Sequence, residues 1–213
     1  MRLFLAGATG VIGIRLIPLL TAAGHTVAGL TRTPAKAAAL ARLGAEPVVC
    51  DVYDTAALTA AVTGFGPDTV LHELTDLPDD ARDMAAHAAA NRRIRREGTA
   101  SLLAAAAAAG ATGFLAQSVA WELPGESGAA KAALEDAVLA ADGVVLRYGR
   151  FYGPGTYYEH ELPGHPRIHL DEAARRTVRA LGLSHTIVTI ADDAAPVPAG
   201  PEPAGHSPAD GTG

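Results

Sequence analysis

Three glycines near the N-terminus constrain the fold more than any other feature of this sequence. They stand in the run GATGVIG, directly after the apolar run RLFLA and before the helix-like stretch IRLIPLL. In a strand–turn–helix unit, Gly7 permits the tight turn, Gly10 lets the backbone approach a diphosphate, and Gly13 lets the helix pack on the strand. The helix N-terminus then offers N–H groups and a positive dipole end to phosphates. The run therefore predicts a phosphate-binding turn made by Gly7, Ala8, Thr9, Gly10, Val11, Ile12 and Gly13.

Short apolar runs alternate with longer alanine-rich stretches along most of the chain. This alternation is typical of βαβ units, whose strands pair in parallel. The predicted strands are Arg2–Ala6, His25–Thr31, Glu46–Asp51, Thr69–Leu74, Gly113–Ser118 and Gly143–Tyr148, with His185–Ile190 as a further candidate. The predicted helices are Gly10–Ala23, Pro34–Leu43, Thr55–Thr63, Asp79–Ala109 in two pieces, and Ala129–Ala141. The pattern predicts an α/β fold, a Rossmann-type doubly wound parallel sheet with strand order 3-2-1-4-5-6.

The length and composition of the sequence predict one domain followed by a short tail. Residues 1–193 form the predicted Rossmann domain, in which residues 151–193 are a short, reduced C-terminal substrate segment. Within it, the glycines, prolines and tyrosines of Phe151–Arg167 predict a loop. Residues 194–213 are almost entirely alanine, proline, glycine and small polar residues, so we expect a disordered tail.

Composition excludes several classes of function. The formal net charge of -6 argues against a nucleic-acid or anionic-membrane protein. The single cysteine, Cys50, excludes an internal disulfide and fits a reducing cytoplasm. No apolar stretch approaches the roughly 20 residues of a membrane span, and the N-terminus lacks the pattern of a signal peptide. We therefore expect a cytoplasmic protein without a membrane or nucleic-acid partner.

The end of the second predicted strand bears on which dinucleotide would bind. An acidic residue there would bind the ribose 2′-hydroxyl of NAD, whereas an arginine can hold the 2′-phosphate of NADP. The chain has Arg32 in the run GLTRTP, with no carboxylate and with Lys36 close behind. This favours NADP, with NAD possible; the alternative is that Arg32 is only a solvated loop charge.

Several motifs together resemble the short-chain dehydrogenase/reductase superfamily, in particular its extended and atypical NAD(P)-dependent epimerase/dehydratase-like members. The resemblance runs from Met1 to about Val197 and rests on GATGVIG, CDV at 50–52, RREGT at 95–99, QS at 117–118 and LRYGRFYGPG at 146–155. It implies that Asp51 and Val52 contact the adenine, and that Leu74 and Thr75 lie near the cofactor's ribose. It also implies a substrate-binding part that is shorter than in extended members.

In this superfamily a serine, a tyrosine and a lysine carry proton transfer, the last two spaced Tyr-x-x-x-Lys. The resemblance implies that Ser118 is the serine and that Lys131 is the lysine, which holds the nicotinamide ribose. Ser127 stands four residues before Lys131, where the tyrosine is expected, and its hydroxyl is far less acidic than a phenol. Other proton carriers are conceivable, although packing roles are favoured for each: Tyr148, Tyr152, Tyr157, Tyr158 and His72.

Two further clusters of charged or titratable residues stand out, one of arginines and one of histidines. The run of arginines at 92, 93, 95 and 96 is interpreted as a solvated helix face, with phosphate or partner contact as the alternative. His160, His165 and His169 are separated by a Pro-Gly pair and lack a suitable carboxylate, so we expect no metal.

The motifs leave two classes of function open. One is an NAD(P)-binding oxidoreductase or epimerase/dehydratase-like enzyme that acts on a small organic substrate, as a monomer or homodimer. The other is a non-catalytic NADP-binding redox sensor or regulator, or an inactive paralogue. Ser118 and Lys131 favour the enzyme, whereas Ser127 favours the alternatives.

Overall fold

A seven-stranded, all-parallel sheet forms the centre of the protein, as seen in a computed structural model that describes residues 1–198 and residue 200. Its strands are β1 (Arg2–Ala6), β2 (Thr26–Thr31), β3 (Glu46–Val49), β4 (Thr69–His72), β5 (Gly113–Val119), β6 (Val144–Tyr148) and, after two short strands, β9 (Thr186–Ile190). The order across the sheet is β3-β2-β1-β4-β5-β6-β9. The predicted order 3-2-1-4-5-6 is thus confirmed, and the further candidate strand lies at the edge beside β6.

Helices cover both faces of the sheet, as expected for a doubly wound fold. They are α1 (Gly13–Ala22), α2 (Ala37–Arg42), α3 (Thr55–Phe65), α4 (Met84–Arg93), α5 (Thr99–Ala108), α6 (Gly125–Ala140) and α7 (Leu170–Arg179). Alternate residues of β1 enter two separate cores: Leu3 and Leu5 pack with α1 and α7, whereas Phe4 and Ala6 pack with α3, α5 and α6. The period of two in a strand and the burial of both faces explain why these strands are apolar throughout.

The long helical stretch predicted over Asp79–Ala109 is indeed divided. Its two α-helices, α4 and α5, are joined by a π-helical segment, Ile94–Gly98. A π-helical turn inserts an extra residue into the helix and is frequent at functional sites. Here it lies beside α6 and the carboxyl ends of the central strands.

The segment after β6 contains more regular structure than the predicted loop. Strand β7 (Arg150–Tyr152) pairs in parallel with β8 (Arg167–His169), and α7 follows at once. The packed chain also continues beyond the predicted boundary at 193, because Val197 is buried in the core. The rest of the predicted tail, residue 199 and residues 201–213, lies outside the described residues. Within the described ranges, every helix is too short or too polar to cross a bilayer.

Candidate functional site

A cleft of about 1160 Å³ lies at the carboxyl edge of the sheet, where β1, β2, β4, β5 and β6 end. In doubly wound folds this edge is where ligands bind. The predicted site residues that line it are Gly7, Thr9, Gly10, Val11, Ile12, Arg32, Asp51, Val52, Leu74, Thr75, Ser118 and Ser127. Ala8, Gly13 and Lys131 are buried and do not line it. One cleft thus gathers residues that are up to 120 positions apart in the chain.

The glycine turn forms a cradle that requires glycine at positions 7 and 13. Gly7 has a φ of +92°, and a Cβ on it would lie 2.6 Å from the backbone of Glu73. A Cβ on Gly13 would collide with the carbonyl oxygen of Gly7, so this glycine is what brings α1 against the turn. A Cβ on Gly10 would meet only the Gly7 oxygen, at 3.2 Å, and otherwise project into open space. The helix N-terminus at Ile12 has no side-chain cap. The residues present therefore fit a diphosphate above the turn.

Basic groups stand at the β2 end of the cleft. Arg32 is 68% exposed at its side chain and lies 3.5 Å from a carboxylate oxygen of Asp76. Lys36 lines the same end. Asp51 accepts a hydrogen bond from the backbone N–H of Tyr53 at 3.0 Å, which holds the turn after β3. Arg32 and Lys36 stand here beside the carboxylates of Asp51 and Asp76, and a largely exposed guanidinium such as that of Arg32 can reach a phosphate on a ribose.

Ser118 and Lys131 lie near one another, and the side chain of each donates a hydrogen bond to another group of the protein. The Ser118 hydroxyl donates to Oε1 of Glu135 at 2.6 Å, and the residue is almost fully buried. Arg147 donates to both oxygens of the same carboxylate, at 2.9 and 2.6 Å. Burial raises the pKa of Glu135, but the hydrogen bonds from Arg147 and Ser118 outweigh burial and hold that pKa below its usual value. Lys131 donates to the backbone oxygen of Trp121 at 3.2 Å.

The tyrosines divide clearly by what their hydroxyls contact. Tyr148 bonds Glu73 and Thr177, Tyr152 donates to Asp192 and does not line the cleft, and Tyr157 donates to the backbone oxygen of Pro78. Tyr158 also lines the cleft, and its hydroxyl has no hydrogen-bond partner among residues 1–198 and 200. Of the four alternative tyrosines, Tyr158 is therefore the one that both lines the cleft and has a hydroxyl without a hydrogen-bond partner among the described residues.

His72 has a structural environment. It is fully buried, its Nδ1 accepts from the Leu74 backbone N–H at 3.3 Å, and its Nε2 lies 3.0 Å from the Thr99 hydroxyl. Burial lowers its pKa to about 4, so the ring is neutral near neutral pH. The three C-terminal histidines do not converge either, and no cluster of ligands placed to hold a metal ion occurs in the described part of the chain.

A buried carboxyl that sequence reasoning missed stands at the end of β4. Glu73 is almost fully buried, lines the cleft, and bonds the Tyr148 hydroxyl at 3.0 Å, which in turn lies 2.6 Å from the Thr177 hydroxyl. Burial raises the pKa of Glu73 to about 8, although the bond from Tyr148 lowers it. The signal was present in the sequence, because TVLHELT places a charged residue directly inside an apolar strand end.

The run of arginines is only partly a solvated face, which corrects the sequence interpretation. Arg92 pairs with Glu126 and Arg93 with Glu97 at the surface, and Arg96 is exposed. Arg95, in contrast, is only 6% exposed and lines the cleft. The π-helical segment turns this one arginine inward.

Comparison with known proteins agrees with this geometry. A family model described as NAD(P)H-binding matches residues 7–150, more than half of the chain. The chain belongs to the NAD(P)H-binding family. The matched range begins at the glycine turn, directly after β1, and ends just after β6, so it contains strands β2 to β6.

The chain is also similar to a 3-diazoavenalumate denitrifying reductase from a Streptomyces species. It is 39% identical over 188 residues, which cover 76% of this chain and 60% of the relative. The chain therefore spans about 60% of the length of the curated relative that it matches.

Solved structures confirm the fold. The UDP-glucose 4-epimerase of Thermotoga maritima superposes with a TM-score of 0.74 at 18% identity, over 90% of this chain and 77% of that one. The corresponding enzyme of Thermus thermophilus, in complex with NAD, gives 0.74 at 20%, over 90% and 78%. A dTDP-glucose 4,6-dehydratase of Streptomyces venezuelae gives 0.70 at 22%, over 89% and 75%. At these identities the similarity establishes the Rossmann fold.

Proposed function

We propose that this protein is an NAD(P)H-dependent reductase that acts on a small organic substrate. The observation that carries the proposal is the glycine cradle opening onto a large cleft at the carboxyl edge of the sheet. Membership in the NAD(P)H-binding family and the similarity to a protein named as a reductase support it.

In this proposal the turn residues 7–13 bind the diphosphate through backbone N–H groups. Asp51 and Val52 contact the adenine, and Leu74 and Thr75 lie along the ribose beside the nicotinamide. Lys131, which the family resemblance places at the nicotinamide ribose, is buried, does not line the cleft and donates to the Trp121 oxygen, so this proposal gives it no contact with the cofactor.

Arg32 supports NADPH over NADH as the cofactor. Its side chain is largely exposed at the cleft, with Lys36 near it and only a long contact to Asp76. A guanidinium recognises a 2′-phosphate with paired, charge-assisted hydrogen bonds.

When bound, the reduced nicotinamide supplies a hydride to one atom of a substrate double bond. The protein must then deliver a proton to the other atom of that bond. Ser127 lines the cleft at the usual place of the phenol but cannot release a proton readily near neutral pH. We assign the proton to Tyr158, which lines the cleft and whose hydroxyl has no hydrogen-bond partner among the described residues. Ser118 then acts as a positioning residue, because its hydroxyl holds Glu135 and thereby Arg147.

A second candidate is a cofactor-binding sensor without turnover. The serine at position 127 favours it, because a sensor needs the cradle and not the phenol. NADPH binding with no oxidation of NADPH on any substrate would select this candidate over the reductase.

The test joins a binding and a turnover measurement. Calorimetric titration of NADPH compares the native protein with Gly10→Ala, which puts a methyl group where the diphosphate would approach and disturbs only one protein contact. The control is Gly64→Ala in α3, where a Cβ would meet nothing within 4 Å. We expect Gly10→Ala to abolish binding and Gly64→Ala to leave it unchanged. NADPH oxidation on a panel of aldehydes and ketones then reports turnover. Absence of NADPH and NADH binding to the native protein would refute the proposal.

A further inference from the structure

Arg95 is the most unusual charged side chain near the cleft. It is 6% exposed, and it makes no hydrogen bond and no ion pair within residues 1–198 and 200. Burial lowers the pKa of its guanidinium, which a neighbouring carboxylate, Glu135, partly offsets. Buried arginines are nearly always paired, because removing a guanidinium from water without a partner is strongly unfavourable.

The neighbouring carboxylate does not satisfy Arg95. Both oxygens of Glu135 are occupied, Oε1 by Ser118 and Arg147 and Oε2 by Arg147. Lys131, buried close to the same carboxylate, adds another positive charge, and its own acidic neighbour, Glu122, is exposed and 3.8 Å away. Three cations, Arg95, Arg147 and Lys131, therefore lie near two carboxylates, the buried Glu135 and the exposed Glu122, so positive charge exceeds negative charge by one.

The guanidinium opens into the cleft. The fully buried side-chain polar atoms without a partner in the described part of the chain are Tyr53 Oη and Arg167 Nε. The nitrogens of Arg95 do not belong to this set, so they retain some exposed surface, and that surface faces the cleft that Arg95 lines. The π-helical segment Ile94–Gly98 places the side chain there while its neighbour Arg96 stays exposed.

We propose that Arg95 binds a carboxylate on the substrate, so that the reductase acts on small organic acids. This inference rests on the proposed function and names its substrate class. A planar guanidinium binds a carboxylate through two parallel hydrogen bonds, and such a pair is stronger in a site with little water. The same pair fixes the orientation of the substrate relative to the cofactor cradle.

Phosphates of the cofactor are the other source of an anion in this cleft. The turn at residues 7–13 and Arg32 lie toward β1 and β2, whereas Arg95 lies beside α6 and Glu135, past β4. This placement favours the substrate over the cofactor phosphates, and the experiment separates the two.

The experiment measures binding by calorimetry with small probes. Formate, acetate, benzoate and the neutral analogue benzamide are titrated into the NADP-saturated protein, and NADPH is titrated separately. The variants are Arg95→Met, Arg95→Lys and, as a matched control in the same segment, Arg96→Met. We expect at least one carboxylate to bind the native protein, and Arg95→Met to weaken that binding roughly 10- to 100-fold. Arg95→Lys should restore part of it, and Arg96→Met should change nothing.

Several outcomes would overturn the proposal. One is that no carboxylate binds at millimolar concentration, or that benzamide binds as tightly as benzoate. Another is that Arg95→Met weakens NADPH binding and not carboxylate binding, which would assign Arg95 to the cofactor. Arg95→Met should also melt no lower than the native protein, because it removes an unpaired buried charge; unfolding of this variant would show that the guanidinium has a structural partner. A native protein that binds neither NADPH nor NADH would instead refute the proposed function itself.

Discussion

Replacing the buried carboxyl of Glu73 by an amide should change how the stability of the protein depends on pH. Glu73 has an ordinary pKa of 4.5 that burial raises to about 8, whereas the unfolded chain exposes it to water. Between these two values the folded protein holds a proton that the unfolded chain has released. The free energy of unfolding therefore falls as the pH rises through this window and levels off above pH 8.

The magnitude follows from the width of the window. Each pKa unit corresponds to about 1.4 kcal/mol, so the loss between pH 4.5 and pH 8 reaches roughly 5 kcal/mol as an upper bound. Glu73→Gln keeps the shape of the side chain and a hydrogen-bonding group for Tyr148, but it does not titrate. Its stability relative to the native protein should therefore increase steadily from pH 5 to pH 8.

The assay is guanidinium chloride unfolding at half-unit pH intervals, with the difference between variant and native protein plotted against pH. The difference removes the contribution of every other titrating group, including His72. Glu46→Gln, at an exposed carboxyl of β3, is the matched control for replacing a carboxyl group by an amide. A flat line for Glu73→Gln would show that Glu73 is ionised in the folded protein, and the account of its environment would be wrong.

Four further predictions follow from the same structure. Arg32→Ala should weaken NADPH binding by about 1.5–3 kcal/mol and leave NADH binding unchanged, as measured by calorimetry; equal losses for both would remove Arg32 from the 2′-phosphate site. Tyr158→Phe should lower kcat for NADPH oxidation by roughly 10²- to 10⁴-fold with intact cofactor binding, and an unchanged kcat would exclude Tyr158 as the acid. Ser127→Tyr should raise turnover, because it puts a phenol four residues before Lys131; a fall in turnover together with unimpaired folding would argue against an ancestral acid at this place. His72→Gln should stabilise the protein in acid, because the folded-state pKa of His72 is about 4, below its ordinary 6.5. The free energy of unfolding of the native protein therefore falls by up to about 3 kcal/mol as the pH falls from 6.5 to 4. Unfolding curves of variant and native protein that coincide at pH 4.5 would contradict this.

Local patterns along the chain were sufficient to predict the sheet. The strands are short runs apolar on both faces, and the helices are alanine-rich, so both elements are visible within a few residues of sequence. The order of the strands followed from right-handed βαβ connections, which leave few alternatives. The glycine turn was visible for the same reason, since its strand, turn and helix are contiguous.

Side-chain contacts between distant parts of the chain were not visible in this way. Ser118 sits at the predicted place on β5, but the structure alone shows that its hydroxyl is bound to Glu135 on α6. The four alternative phenols were equivalent in the sequence, and only their partners in space separate Tyr158 from the others.

The parallel sheet, the cradle at residues 7–13 and the carboxyl edge of the sheet are all predictable from the amino-acid sequence alone. Each of these depends on backbone conformation and on the periodicity of apolar residues, which are local properties of the chain. The raised pKa of Glu73, the burial of Arg95 and the hydrogen-bond partner of Ser118 follow only from the folded arrangement. Those properties depend on how much water and charge surround a group, and the surroundings come from residues tens of positions away that meet only in the folded protein.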